Sequence, residues 1–238
     1  MDKDELKNIL ELHEKWLNDE DGGIRADLSE SYLHGVDLSG ADLRKAYLHR
    51  AYLHEADLSE ANLCGANLIK ADLCGAYLRK ADLRKADLRK AYLHRAYLHE
   101  ADLHEADLRK ADLRKAYLHR AYLHEADLSE ADLSGADLRK AYLRGAYLSE
   151  ADLSEADLHR ADLYGAKGVL TFTAGETNRL CFTYVYNNEQ RWQLGCFNGN
   201  YKETLEAVKS NYGKNSHYYK MIVATKGALD ERSKANNL

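Results

Sequence analysis

Between Ala26 and Gly165 the hydrophobic and polar positions recur every five residues, in the order small, polar or aromatic, leucine, polar, polar. Leucine stands at each fifth position from Leu28 to Leu163, 28 times in all. Two residues ahead of it stands alanine, in every repeat except those that begin with Ser31 and Val36. A period of five matches neither the 3.6 of a helix nor the 2 of a strand, so neither regular element can hold all the leucines on one buried side. A short fixed period is the mark of a solenoid. Each repeat then predicts a short extended piece and a turn, with leucine and the preceding small residue inward and three residues facing out.

The pattern changes at both ends. Asp2 to Asn18 has helical spacing, with Leu6, Ile9, Leu10, His13 and Leu17 near one face and Asp2, Asp4 and Glu5 at the amino end, where the helix dipole favours acids. Asp21-Gly22-Gly23 stops it. An open coil end would expose unpaired strand edges, so this helix is expected to cap the solenoid, with His13 in a packing or rim role. After Gly165 the period ends. Val169 to Thr173, Leu180 to Tyr186 and Arg191 to Phe197 read as strands, the last two joined by a hairpin at Asn187 to Gln190 that pairs Tyr186 with Arg191 and Cys181 with Cys196. Tyr201 to Asn211 and Ser216 to about Leu229 read as helices. The expected organisation is a helical cap over 1–25, a repeat solenoid over 26–165 and a small α+β domain over 166–238.

Composition narrows the function. The 238 residues carry a net charge of −5, divided as −4, −5 and +4 over those three segments, so nothing is basic enough to make bare nucleic acid a good partner. No run of apolar residues is long enough to span a membrane and the start lacks a signal peptide's apolar run, which predicts a cytoplasmic protein. Four cysteines are too few for a disulfide scaffold. No cofactor or resident metal is expected.

Consecutive units such as ANLCGANLIKADLCG, Ala61 to Gly75, resemble the pentapeptide repeat proteins. The resemblance covers the 140 residues of the tract and implies a mainly β fold: a right-handed quadrilateral β-helix with four repeats to a coil and about seven coils. On such a coil Cys64 and Cys74 lie two faces apart and cannot bridge. The resemblance also implies a function without catalysis, in bacteria or their phages, as a protein-interaction or scaffold module of unknown partner, with homodimerisation through the carboxy-terminal part left open. Members that confer quinolone resistance act on DNA gyrase as mimics of DNA, which gives the alternative reading.

Mimicry needs a sustained negative field. Summed by face, every fourth repeat together, the charges are −1, −3, 0 and −1, so no face is strongly acidic. The block Ala81 to Glu100 recurs unchanged at Ala106 to Glu125, five repeats on, so its copy is turned by one face, as repeat slippage would produce. What remains are outward stacks: Tyr77, Tyr97 and Tyr117 fall on one face in successive coils, accompanied by His99 and His119, and form the candidate partner-binding ladder. His104 with His124, Tyr32 with Tyr52 and His34 with His54 stack likewise. Exposed histidines have donors suited to transition metals, yet aromatic cross-strand pairs also serve simply to stabilise sheets. No catalytic residue is expected in the tract, whose acids sit on a regular surface without a cleft. In the last domain Cys196 with His217 is the one thiol-enzyme pairing available, and buried packing is the commoner role of such a cysteine.

Overall fold

The computed structural model describes residues 1–174, 179–186, 189–194 and 197–200, and beyond them Lys202, Leu205, Glu206 and Lys209; side chains are described through Gly168 and at those last four positions. The chain divides into two compact units, Met1–Gly168 and Val169–Leu238.

In the first unit the second residue of each repeat forms a parallel bridge with the residue twenty positions on, from Asp27 with Tyr47 to Tyr147 with Lys167. Twenty residues are four repeats, so four repeats make one coil. The backbone hydrogen bonds explain why five residues suffice. In the repeat Ala86–Lys90, Asp87 N–H donates to Ala66 O of the preceding coil (2.9 Å), while Leu88 and Lys90 donate to Asp107 O and Arg109 O of the next (2.8 and 3.0 Å). Ala91 N–H closes the turn on Leu88 O (3.0 Å). One N–H is left, that of Arg89, and the Asp87 carboxylate takes it at 3.2 Å. Every backbone donor of the repeat thus has an acceptor, as a packed backbone requires. This is why Asp or Asn fills the second position wherever Tyr does not; Asn62 and Asn67 make the same bond.

The turn also fixes the fifth position. The four-residue turn Leu88 to Ala91, closed by that bond and with positive φ at its third residue, has the form of a type II turn. The non-glycine residues there have φ between 55° and 61°. All 28 of these positions hold Glu, Lys, Arg or Gly, and none holds a β-branched residue, for which this conformation is most costly. Inside, the leucines are between 0 and 5% exposed and form one continuous column with the alanines.

The helix α1 spans Lys3–Leu17 and is capped by Asp2, whose side chain accepts from Glu5 N–H at 2.7 Å. It buries Leu6 and His13, with Ile9, Leu10 and Leu17 half-buried. The chain then folds back on it: Ile24 N–H donates to Leu12 O at 2.9 Å. Gly23 passes so close to Lys15 and Trp16 that a Cβ would lie inside their backbone. His13, given a packing or rim role from the sequence, is fully buried, and its Nδ1 accepts from the N–H of Ala26, the first residue of the coil, at 3.1 Å. At the other end the frame runs past Gly165, because Lys167 still bridges Tyr147.

The second unit contains one antiparallel sheet in sequential order, β1 (Val169–Ala174), β2 (Arg179–Tyr186), β3 (Glu189–Leu194) and β4 (Phe197–Asn200). The hairpin register corrects the sequence expectation by two residues: Tyr186 pairs with Glu189 and Tyr184 with Arg191, so Cys181 faces Leu194 instead of Cys196. In the sequence only Asn187 and Asn188 separate the two paired strands. The strand expected over Arg191 to Phe197 is likewise replaced by β3 and β4, which pair with each other. Lys202, Leu205, Glu206 and Lys209 are helical, within the helix expected from Tyr201. The expected helix from Ser216 and the pairing of Cys196 with His217 lie outside the described residues.

Candidate functional site

The coil converts a spacing of twenty residues into vertical contact. Tyr77, Tyr97 and Tyr117 stack face to face, with centroids 5.0 and 4.9 Å apart and planes inclined by 6° and 10°. These separations match the strand spacing of about 4.7–4.9 Å, so the rings need no departure from the backbone's own repeat. They are 46%, 36% and 37% exposed, which leaves the outer parts of all three rings open to solvent. His99 leans on the stack, 6.4 Å from Tyr97 and 5.8 Å from Tyr117, with His119 tilted beside it at 6.5 Å. Burial holds the pKa of His99 below that of a free imidazole, against the opposing pull of Asp137, so the ring is neutral at neutral pH. His119 Nδ1 is buried without a hydrogen-bond partner. The structure therefore brings all five sequence-predicted residues into one column.

That column is bounded by polar repeats. Above Tyr117 the bridge partner is Asp137, below Tyr77 it is Asp57. Arg139 grips the Asp137 carboxylate with two bonds, Nε at 2.7 Å and Nη2 at 2.6 Å. Those bonds hold the Asp137 pKa below the usual carboxylate value. The same fork recurs at Asp82 with Arg84, Asp87 with Arg89, Asp107 with Arg109 and Asp112 with Arg114. Each of these arginines also approaches the aspartate one coil further on, as Arg89 does Asp107 at 3.6 Å and Arg109 does Asp127 at 3.6 Å. The forked aspartates, spread over all four faces, are thus interleaved with cations.

A second aromatic column joins the expected pair of His104 and His124 to two tyrosines that the sequence analysis did not name. Tyr122 stacks on Tyr142 at 5.1 Å, with His124 5.9 Å from Tyr142 and His104 6.0 Å from His124. The spacing of twenty residues was the signal that could have found it. Near the amino end Tyr32 and Tyr52 stack at 4.7 Å and His34 and His54 at 5.3 Å. A cation closes one face at both ends: Arg25 lies 3.8 Å over the Tyr47 ring and Lys167 lies 4.0 Å over that of Tyr147. Cys64 and Cys74 are both free thiols, and burial beside Asp72 pushes the pKa of Cys74 up to about 12. No described helix is long and apolar enough to cross a membrane.

Comparison with known proteins places the repeat geometry. The family model for pentapeptide repeats matches residues 24–59, 56–95, 96–135 and 131–167. Among solved structures the chain is similar to HetL, a pentapeptide repeat protein involved in heterocyst differentiation regulation from the cyanobacterium Nostoc sp. strain PCC 7120. The two share 42% identity over 60% of this chain and 72% of that one, with a TM-score of 0.36. It is also similar to the pentapeptide repeat protein Rfr23 from the cyanobacterium Cyanothece 51142, at 35% identity over 40% of this chain and 63% of that one, TM-score 0.28. A third similar structure is QnrB1, a plasmid-mediated fluoroquinolone resistance protein, at 21% identity over 60% of this chain and 72% of that one, TM-score 0.38. No curated protein sequence matches. The five-residue frame, the twenty-residue coil and the family match over most of the chain lead to one conclusion: this chain belongs to the pentapeptide repeat family.

Proposed function

We propose that this protein is a non-enzymatic interaction or scaffold module of a bacterial or phage cytoplasm, built as a right-handed, four-sided β-helix of about seven coils. Its partner is a protein bound through the column of Tyr77, Tyr97 and Tyr117 with His99 and His119. The observation that carries this reading is the stack itself, three coaxial rings with open outer parts, one ring longer than the Tyr32–Tyr52 and Tyr122–Tyr142 pairs. Aromatic residues are enriched at protein interfaces. Rings already ordered by stacking lose little further freedom when a partner covers them, which lowers the entropic cost of association.

The alternative, a DNA mimic acting on gyrase, requires uncompensated acids along a face. The Asp–Arg forks argue against it, since Asp137 above the column is neutralised within its own repeat by Arg139, which also reaches Asp157. A photo-crosslinking residue in place of Tyr97 tests the proposal, with Asp87 on another face as the control position. Adducts from position 97 and not from 87 support the column as the binding surface. Equal yields from both, or none from 97, overturn it. A gyrase supercoiling assay with added protein should show neither inhibition nor drug protection under this reading, and either effect would promote the mimic.

A further inference from the structure

On the face that carries Tyr32 and Tyr52, the fourth residues of successive coils are His34, His54 and Cys74. The turn directs all fourth residues of a face into one column, so three side chains with nitrogen and sulfur donors follow one another up the rod. Asp72, two residues before Cys74, completes the group. Its carboxylate caps the turn by accepting Cys74 N–H at 3.1 Å through one oxygen. Donor atoms of His54, Asp72 and Cys74 all lie within 4.8 Å of one another, and all three residues are half-buried. A second group, His34, His54 and Glu55, meets the same limit and shares His54, whose Nε2 is 3.5 Å from Glu55 Oε1. His34 is turned by a contact of its Nδ1 with His54 O at 2.8 Å. The other histidine stacks, His99 with His119 and His104 with His124, join no such group among the described residues.

We propose that His54, Asp72 and Cys74 form a binding site for a divalent transition ion of the zinc and cobalt class, with Glu55 or water at the fourth position. Imidazole, carboxylate and thiolate are the donor set of tetrahedral zinc sites, with bonds of about 2.0–2.3 Å. Those bond lengths place neighbouring donors roughly 3.3–3.8 Å apart. His54 and Cys74 stand on turns and Asp72 at a bridge position, all half-buried, and their side chains close the remaining gap by rotamer changes, with the backbone held by the coil's hydrogen bonds. Binding replaces the S–H bond of Cys74 by a metal–sulfur bond and releases the proton to solvent, so affinity rises with pH. His54 belongs to one coil and Asp72 with Cys74 to the next, so the ion would fasten adjacent coils. Thiolate and imidazole select zinc, cobalt or copper over magnesium or calcium, which prefer all-oxygen sites.

The full-length protein titrated with Co2+ provides the test, because thiolate ligation gives a sulfur-to-cobalt charge-transfer band in the near ultraviolet. The variants use residues the solenoid already carries in these columns or positions. Cys74→Ser copies Ser134 and Ser154 of the same column, and Asp72→Asn keeps the turn bond that Asn62 and Asn67 make. A third protein, C64S/C181S/C196S, leaves Cys74 as the sole thiol. The band is expected in the wild type and in that triple variant, displaced by Zn2+, absent from Cys74→Ser, and in Asp72→Asn weakened in affinity by at least the roughly 10–100-fold that loss of a ligand's supporting partner costs. A wild type without the band at a large excess of Co2+ overturns the proposal, as does a band that persists in Cys74→Ser.

Discussion

His13 is the clearest place to weigh a single side chain, because it joins the amino-terminal helix to the first coil. Its ring is fully buried, stacks on Trp16 at 5.5 Å, and supplies the acceptor for Ala26 N–H. Ala26 is itself buried, so His13→Ala leaves an N–H without a partner, at a cost of about 1–3 kcal/mol. The space vacated by the ring brings the total to about 2–4 kcal/mol. His13→Phe keeps most of the packing and loses only the acceptor, about 1–3 kcal/mol. The two variants differ from the wild type in a second way. Burial lowers the His13 pKa from 6.5 despite the attraction of Asp42, with Arg25 and Arg44 adding to the lowering. A histidine held neutral in the folded state contributes stability that is present above the unfolded pKa and is lost as pH falls from 6.5 through the lower folded value. One proton limits the slope to about 1.4 kcal/mol per pH unit. Trp16 fluorescence in a Trp192→Phe background reports docking of the helix during urea titrations at successive pH values. The wild type should lose cap stability on acidification below pH 6.5 while His13→Phe stays level. A wild-type cap whose stability is unchanged by acidification, or equal acid losses in both proteins, refutes the reasoning.

Other perturbations separate the forces within a repeat. Leu93→Ala, in the middle of the column, should cost about 2–5 kcal/mol in chemical denaturation; a smaller loss would mean the coils collapse around the cavity. Asp132→Ala removes the acceptor of Ser134 N–H and should cost about 1 kcal/mol, as loss of a helix cap does, with Asp132→Asn near neutral. At Lys90, where φ is 59°, an isoleucine should be about 1–2 kcal/mol less stable than a glycine, and equal melting points would show that the turn relaxes. Asp82 and Asp137 have pKa values lowered by their arginine forks, so their contribution is present above pH 3.8 and disappears as pH falls through the lower folded values; an acid titration of Asp137→Asn should be shallower than that of the wild type.

The core was legible because one residue type marks it: leucine every fifth position cannot be arranged otherwise than inward on a coil. The tyrosine column followed from the same frame, since twenty residues return to the same face. Less legible information is written at positions that look merely solvated. The restriction of the fifth position to Glu, Lys, Arg and Gly encodes a positive φ, and Asp or Asn at the second position encodes a side-chain acceptor for the turn's N–H. His13 looked like one more member of an amphipathic face because burial alone does not announce an acceptor. The grouping of His54 with Asp72 and Cys74 depends on separations of 18 and 20 residues, which only the coil makes into contact. The hairpin register of the second unit shifted by two because residues on both strands alternate compatibly in either pairing, and loop length decides between them.

The central claim is that the rod binds a protein through Tyr77, Tyr97 and Tyr117. The most direct measurement compares the proteins retained from host extract by the full-length chain and by its Y77D/Y97D/Y117D variant. Aspartate already occupies this column at Asp57 and Asp137, so the coil tolerates it. A partner is expected to be held by the wild type and lost by the variant, with both showing the same circular dichroism. The same partner retained equally by both would contradict it.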